Sequence, residues 1–156
     1  MRWTIPRLPL RSGPETRPAL PIREVAVVVV SEDRFPAAWS GRTAVVTVSG
    51  EIDLTNADGL RDVLLSTLDA GARGLVVDMT GTTFLDSAGV SALVRTSRRA
   101  STTDTTLRLV VTAPPVLRVL DLVGLDRLIG VYPSVSVAVA SLPDQTGPGL
   151  RALLPW

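Results

Sequence analysis

A chain of 156 residues, 46% hydrophobic and with a net charge of +1, fits one compact domain with tails and carries no global field to attract nucleic acid. All sixteen basic residues are arginine, and histidine and cysteine are absent along with lysine. Those absences exclude an imidazole-relayed serine triad, a thiolate nucleophile or metal site, a disulfide, a Schiff base and a phosphate-gripping lysine, and together they argue against an ordinary enzyme.

Residues 1–22 hold five prolines and four arginines without an apolar period, a composition that buries too little surface to offset its ordering entropy. A disordered tail is expected there. A second tail is expected over 143–156, around Pro143, Gly147, Pro148, Gly149 and Pro155, with the domain over 23–142. Prolines close to Met1 argue against a secretory signal, and the longest aliphatic run, Val25–Val30, is far shorter than the ~20 residues of a membrane helix. The expectation is a cytoplasmic protein that neither spans a membrane nor binds nucleic acid, for which 4% aromatic residues also leave few stacking platforms.

Glu24–Val30 and Thr43–Ser49 are β-branched runs bounded by Ser, Gly and Pro, which predicts two paired strands joined by a long loop, Ser31–Arg42. From Ala57, the positions Leu60, Val63, Leu64 and Leu68 have helical spacing, Thr55 with Asp58 reads as a cap, and Gly71 marks the stop. Gly74–Met79 is apolar on consecutive residues, as a strand covered on both faces is. A polar turn follows, anchored by Phe84 and Leu85, and then a helix with Val90, Leu93, Val94 and Ser97 inward. Leu107–Thr112 predicts a strand, and Pro114 and Pro115 open a helix carrying Val116, Leu117, Leu120 and Val123 that Gly124 ends. Leu128–Val131 reads as an edge strand and Ser134–Leu142 as a last short element. The order implies an α/β fold: a four- or five-stranded, mostly parallel sheet with an antiparallel N-terminal hairpin, flanked by three to four helices.

In such sheets functional groups gather outside the carboxyl ends of the strands, which places Asp53 and the Asp86-Ser87 junction on one rim. Two roles are open to Ser87. It either caps the helix through its hydroxyl, or carries a phosphoryl group that the helix N-terminus favours by roughly 0.3–2 kcal/mol. Arg95, Arg98 and Arg99, near the other end of that helix, read as a solvated face that complements the dipole. Asp53, Asp78 and Asp86 are the carboxylates that an acid–base or metal site would use, although their spacing does not specify one.

Four segments in order resemble a known family: Gly50-Glu51-Ile52-Asp53, then Val77 to Gly89 with Asp86-Ser87-Ala88-Gly89 at its end, then Leu107-Arg108-Leu109-Val110, then Val119 to Asp126. Over roughly residues 24–141 the chain is similar to the STAS domain of bacterial anti-sigma factor antagonists. The resemblance implies partner switching: the unmodified antagonist holds an anti-sigma factor, itself a serine kinase, and lets go when that kinase phosphorylates it at the position matched by Ser87. A Ser/Thr phosphatase resets the switch. The implied partner surface comprises Asp53, Asp86, Ser87, Ala88 and Gly89, with no catalytic residue, no metal and no cofactor, on a monomer or weak dimer. Ala88 departs from the family pattern, which has a second serine there, so Ser87 is left as the sole acceptor. STAS domains also occur in transporters and stress-signalling assemblies. The alternative is therefore a scaffold or ligand-sensing module without a switch at Ser87.

Overall fold

A computed structural model describes residues 25–26 and 35–143 of the chain. The elements are β1 (Val25–Ala26), β2 (Ala37–Ser40), β3 (Thr43–Ile52), α1 (Ala57–Asp69), β4 (Gly74–Leu85), α2 (Ser87–Thr102), β5 (Thr106–Val110), α3 (Pro114–Val123), a 3-10 turn at Leu125–Arg127, β6 (Gly130–Tyr132) and α4 (Val135–Ala140). The six strands form one sheet in sequence order. β1–β2 and β2–β3 are antiparallel, and every later pair is parallel. This is the expected mostly parallel α/β fold, with one strand beyond the four or five anticipated, the two-residue β1. The tails expected at 1–22 and, from residue 144 on, at the other end lie outside the described residues, as does most of the strand expected over Glu24–Val30.

Two of the expectations about strands change. The hairpin partner of β3 is not the Val25 strand but Ala37–Ser40, inside the segment read as a loop, with Ser40 opposite Thr43 across a Gly41-Arg42 turn. Gly41 has φ +61, the conformation that a tight hairpin requires at its first turn residue and that glycine adopts without strain. β1 instead pairs with the outer edge of β2. The second change is β4, which does not end at Met79 but runs to Leu85. Register slips against β3 between Thr47 and Ser49 and between Gly50 and Glu51 absorb two extra residues as bulges. The buried Thr82 hydroxyl donates to Val48 O at 2.8 Å and ties the bulged stretch to its neighbour.

Alternation along the strands divides the interior. Ala44, Val46 and Val48 of β3, Leu75, Val77 and Met79 of β4, and Leu107 and Leu109 of β5 face α1, α2 and α3, which contribute Leu60, Leu64, Leu68, Leu93, Val116 and Leu120. On the opposite face Val76 and Val110 pack on Ala138 of α4, with Val45, Tyr132, Val135 and Leu142 around them. The α1 stripe is as expected, with Val63 half-buried. In α2 the fully buried set is Gly89, Ala92, Leu93, Thr96 and Ala100, one step round from the predicted stripe. Small residues let α2 lie close to its neighbours, and Val90 and Val94 flank that contact. In α3 Val116 and Leu120 are buried, whereas Leu117 and Val123 are exposed. Gly124, in the left-handed conformation, ends that helix. The last element is helical, with Ser134 Oγ accepting from Val137 N.

Candidate functional site

Ile52 and Leu85 are register partners at the carboxyl ends of β3 and β4, so Asp53 and Asp86, one residue further on each, leave the sheet side by side. Asp86 N donates to Ile52 O at 3.1 Å, which fixes the start of α2 against the end of β3. The Asp86 backbone is extended, and its Oδ1 accepts from Ala88 N at 2.8 Å and Gly89 N at 3.1 Å. Asp86 is therefore the cap, an assignment that its carboxylate fills with charge-assisted bonds at the positive end of the helix. Ser87, the first helical residue, is exposed, and among the described residues nothing hydrogen-bonds its hydroxyl. The capping role open to Ser87 is thus taken by its neighbour. Asp86 also occupies the Ala88 and Gly89 N–H groups, so a phosphate on Ser87 would stand beside Asp86 without those two donors.

Gly89 is buried. A Cβ there would collide with Leu85 Cδ1 and lie 2.9 Å from Ile52 Cγ2, so its part in the expected partner surface is indirect: it lets α2 seat on the strand ends. Ala88 is half-buried beside Ser87. On the β3 side, Asp53 Oδ1 accepts from Thr55 N at 2.9 Å and from the Thr55 hydroxyl. Asn56 closes the same turn, accepting from Asp53 N at 3.0 Å and donating to Glu51 O at 2.9 Å. These bonds replace the expected Thr55–Asp58 cap. Residue 56 occupies the cap position of α1 without a side-chain cap bond, and the turn holds Asp53 rigidly at the rim.

Leu85 is buried and anchors the turn as expected, but Phe84 is 47% exposed, and Leu54, next to Asp53, is 79% exposed. The rim therefore pairs two half-buried carboxylates and a free hydroxyl with exposed apolar side chains, the mixture of anchor and polar groups found at protein interfaces. Phe84 and Leu54 were missed because an aromatic residue beside a strand end reads as core, and a lone leucine in a polar turn carries no period. Asp78 holds Thr80 through its N–H and hydroxyl at 3.1 and 2.9 Å. Among the described residues Asp53, Asp78 and Asp86 do not gather into a three-ligand group. Of the α2 arginines, Arg99 bonds Asp69 of α1 at 2.6 Å. No helix among the described residues is long and apolar enough to cross a membrane.

The sequence model of the STAS domain family matches residues 35–138. A Mycobacterium tuberculosis protein provisionally named anti-anti-sigma factor Rv2638 is 33% identical over 103 residues, covering 64% of this chain and 69% of that protein. The crystal structure of an anti-sigma factor antagonist from Mycobacterium paratuberculosis superposes with a TM-score of 0.66 at 27% identity, covering 70% of this chain and 93% of that one. The Bacillus cell fate determinant SpoIIAA in its phosphorylated form shares the fold, with a TM-score of 0.55 at 20% identity over 68% of this chain and 96% of its own.

Proposed function

The chain belongs to the STAS domain family, and from that membership we propose that it is an anti-sigma factor antagonist, a binding protein rather than an enzyme. Unmodified, it sequesters an anti-sigma serine kinase at the rim formed by Asp53, Asp86, Ser87 and Ala88. Phosphorylation of Ser87 by that kinase releases it, and a Ser/Thr phosphatase restores binding. The observation that carries the reading is the exposed, unengaged Ser87 hydroxyl at the first turn of α2, with Asp86 doing the capping. The names of the relatives support the same role, and SpoIIAA supports the compatibility of this fold with a phosphoryl group.

The mechanism is electrostatic. A phosphoryl group brings about −1.5 to −2 charges at pH 7. It would add to Asp86 at a surface the partner covers, and mismatched charge in an interface commonly costs ~2–5 kcal/mol, tens- to thousands-fold in affinity. The domain itself stays intact, because no bond of the fold runs through the Ser87 hydroxyl among the described residues.

Incubating the full chain with each purified anti-sigma kinase of its source organism and ATP, then mapping the product by mass spectrometry, tests the proposal. Phosphate on Ser87 is expected; phosphate at another residue, or none with any kinase, overturns it. Ser87→Ala is expected to keep binding and Ser87→Asp to weaken it.

A cavity of about 510 Å³ at the opposite rim, lined by Trp39, Arg42, Thr67 and Gly71 among others, favours a second reading, a ligand-sensing STAS module. That reading predicts small-molecule binding that quenches Trp39 fluorescence and ignores Ser87→Asp.

A further inference from the structure

Beside Ser87 the first turns of α1 and α2 leave a shallow groove of about 180 Å³. Its floor is Ala57, Ala88 and Ala92, and its walls carry Asp58 and Arg61 on the α1 side and Ser91 and Arg95 on the α2 side. Ser87, Ser91 and Arg95 follow at intervals of four along α2 and are all exposed, so they share one ridge. Arg61 is already balanced, lying 3.2 Å from Asp58 and 3.3 Å from Asp62. Arg95 is not: among the described residues no carboxylate comes within ion-pair distance of it. Nor does the helix dipole explain it, because that effect is confined to the final turn, where Arg99 stands and is held by Asp69. From Ser87 to Thr102 the helix has no acidic residue, and Arg98 extends the cationic ridge.

We propose that this groove seats an acidic segment of the anti-sigma partner, with Arg95 as its principal contact; the inference rests on the Ser87 rim being where that partner docks. Small residues on the floor admit a backbone or helix from outside, and the uncompensated cation selects its charge. The same placement links the groove to the switch. Ser87 and Arg95 are eight residues apart, roughly 12 Å at ~1.5 Å per residue. A segment running between them passes within about one Debye length, ~8 Å at physiological ionic strength, of each end. A phosphoryl group at Ser87 then repels the very charges that Arg95 attracts, so release needs no rearrangement of the domain.

The experiment uses the full-length chain and the purified anti-sigma factor found to bind it, with affinity measured at low and at raised ionic strength. Arg95→Glu is expected to weaken binding at least ~10-fold at low salt and to flatten the salt dependence. Arg95→Lys should retain most of the affinity, and Arg118→Glu, on α3, should change it less than ~2-fold. Unchanged affinity for Arg95→Glu, or an equal loss for Arg118→Glu, overturns the proposal. So does Arg95-dependent binding of a duplex DNA probe, which would assign the ridge to nucleic acid. Ser87→Asp separates the two layers. If it releases the partner while Arg95→Glu does not, the rim stands and the acidic segment falls; if neither weakens binding, or no anti-sigma factor binds at all, both fall.

Discussion

The division of labour between Asp86 and Ser87 decides what each substitution does. Asp86 Oδ1 satisfies two N–H groups of α2, so Asp86→Ala is expected to lower stability by about 1 kcal/mol, read as a shift in urea midpoint. Ser87→Ala removes no bond among the described residues and is expected to stay within about 0.5 kcal/mol of the unaltered chain. An equal loss for both would mean that the serine shares the cap. Gly89→Ala puts a methyl into Leu85 and Ile52 and should cost about 1–3 kcal/mol by overpacking, with no effect through surface chemistry. Ser87 was legible in the sequence because it opens a helical period straight after a strand and a turn, where a hydroxyl either caps the helix or stands at the rim. The capping partner was not, since Asp and Ser side by side are both good caps and only geometry chooses between them. The exchange of bonds among Asp53, Thr55, Asn56 and Glu51 was equally hidden, because it depends on where the chain turns back on itself.

At the scale of elements, period and composition located α1, α3 and the buried half of β4, whose apolar residues repeat as their burial requires. They failed for Ala37–Ser40, where Ala-Ala-Trp-Ser after Pro36 has neither β-branched residues nor clean alternation, and where hairpin pairing to β3 supplies what propensity lacks. They failed also for Thr80–Leu85. Of its three threonines Thr80 and Thr83 are exposed and only Thr82 is buried, so a strand there looks like a turn. The α2 stripe was misplaced by one step because Ala92, Thr96 and Ala100 carry too little hydrophobicity to compete with Val90 and Val94 in a pattern, although close packing prefers them. Leu93 is the one large side chain fully buried on that helix. Leu93→Ala is therefore expected to cost about 2–5 kcal/mol, more than any other alanine substitution in α2, measured by chemical denaturation.

For the molecule as a whole, the proposed switch separates binding from folding. Ser87→Asp, a partial mimic of the charge, is expected to move Tm by no more than about 2 °C while weakening partner binding, a contrast read by calorimetry beside an affinity measurement. A large drop in Tm would mean that release proceeds through loss of structure. The strand arrangement has a further consequence, for how the chain reaches its native state. Because strands lie in the sheet in the order in which they are written, each new one adds at a growing edge, and none has to be inserted between two already joined. A nascent chain emerging from the ribosome can therefore assemble progressively from β2, β3 and α1 onward, with loop closures kept short and the adhesive flank always the next to be covered.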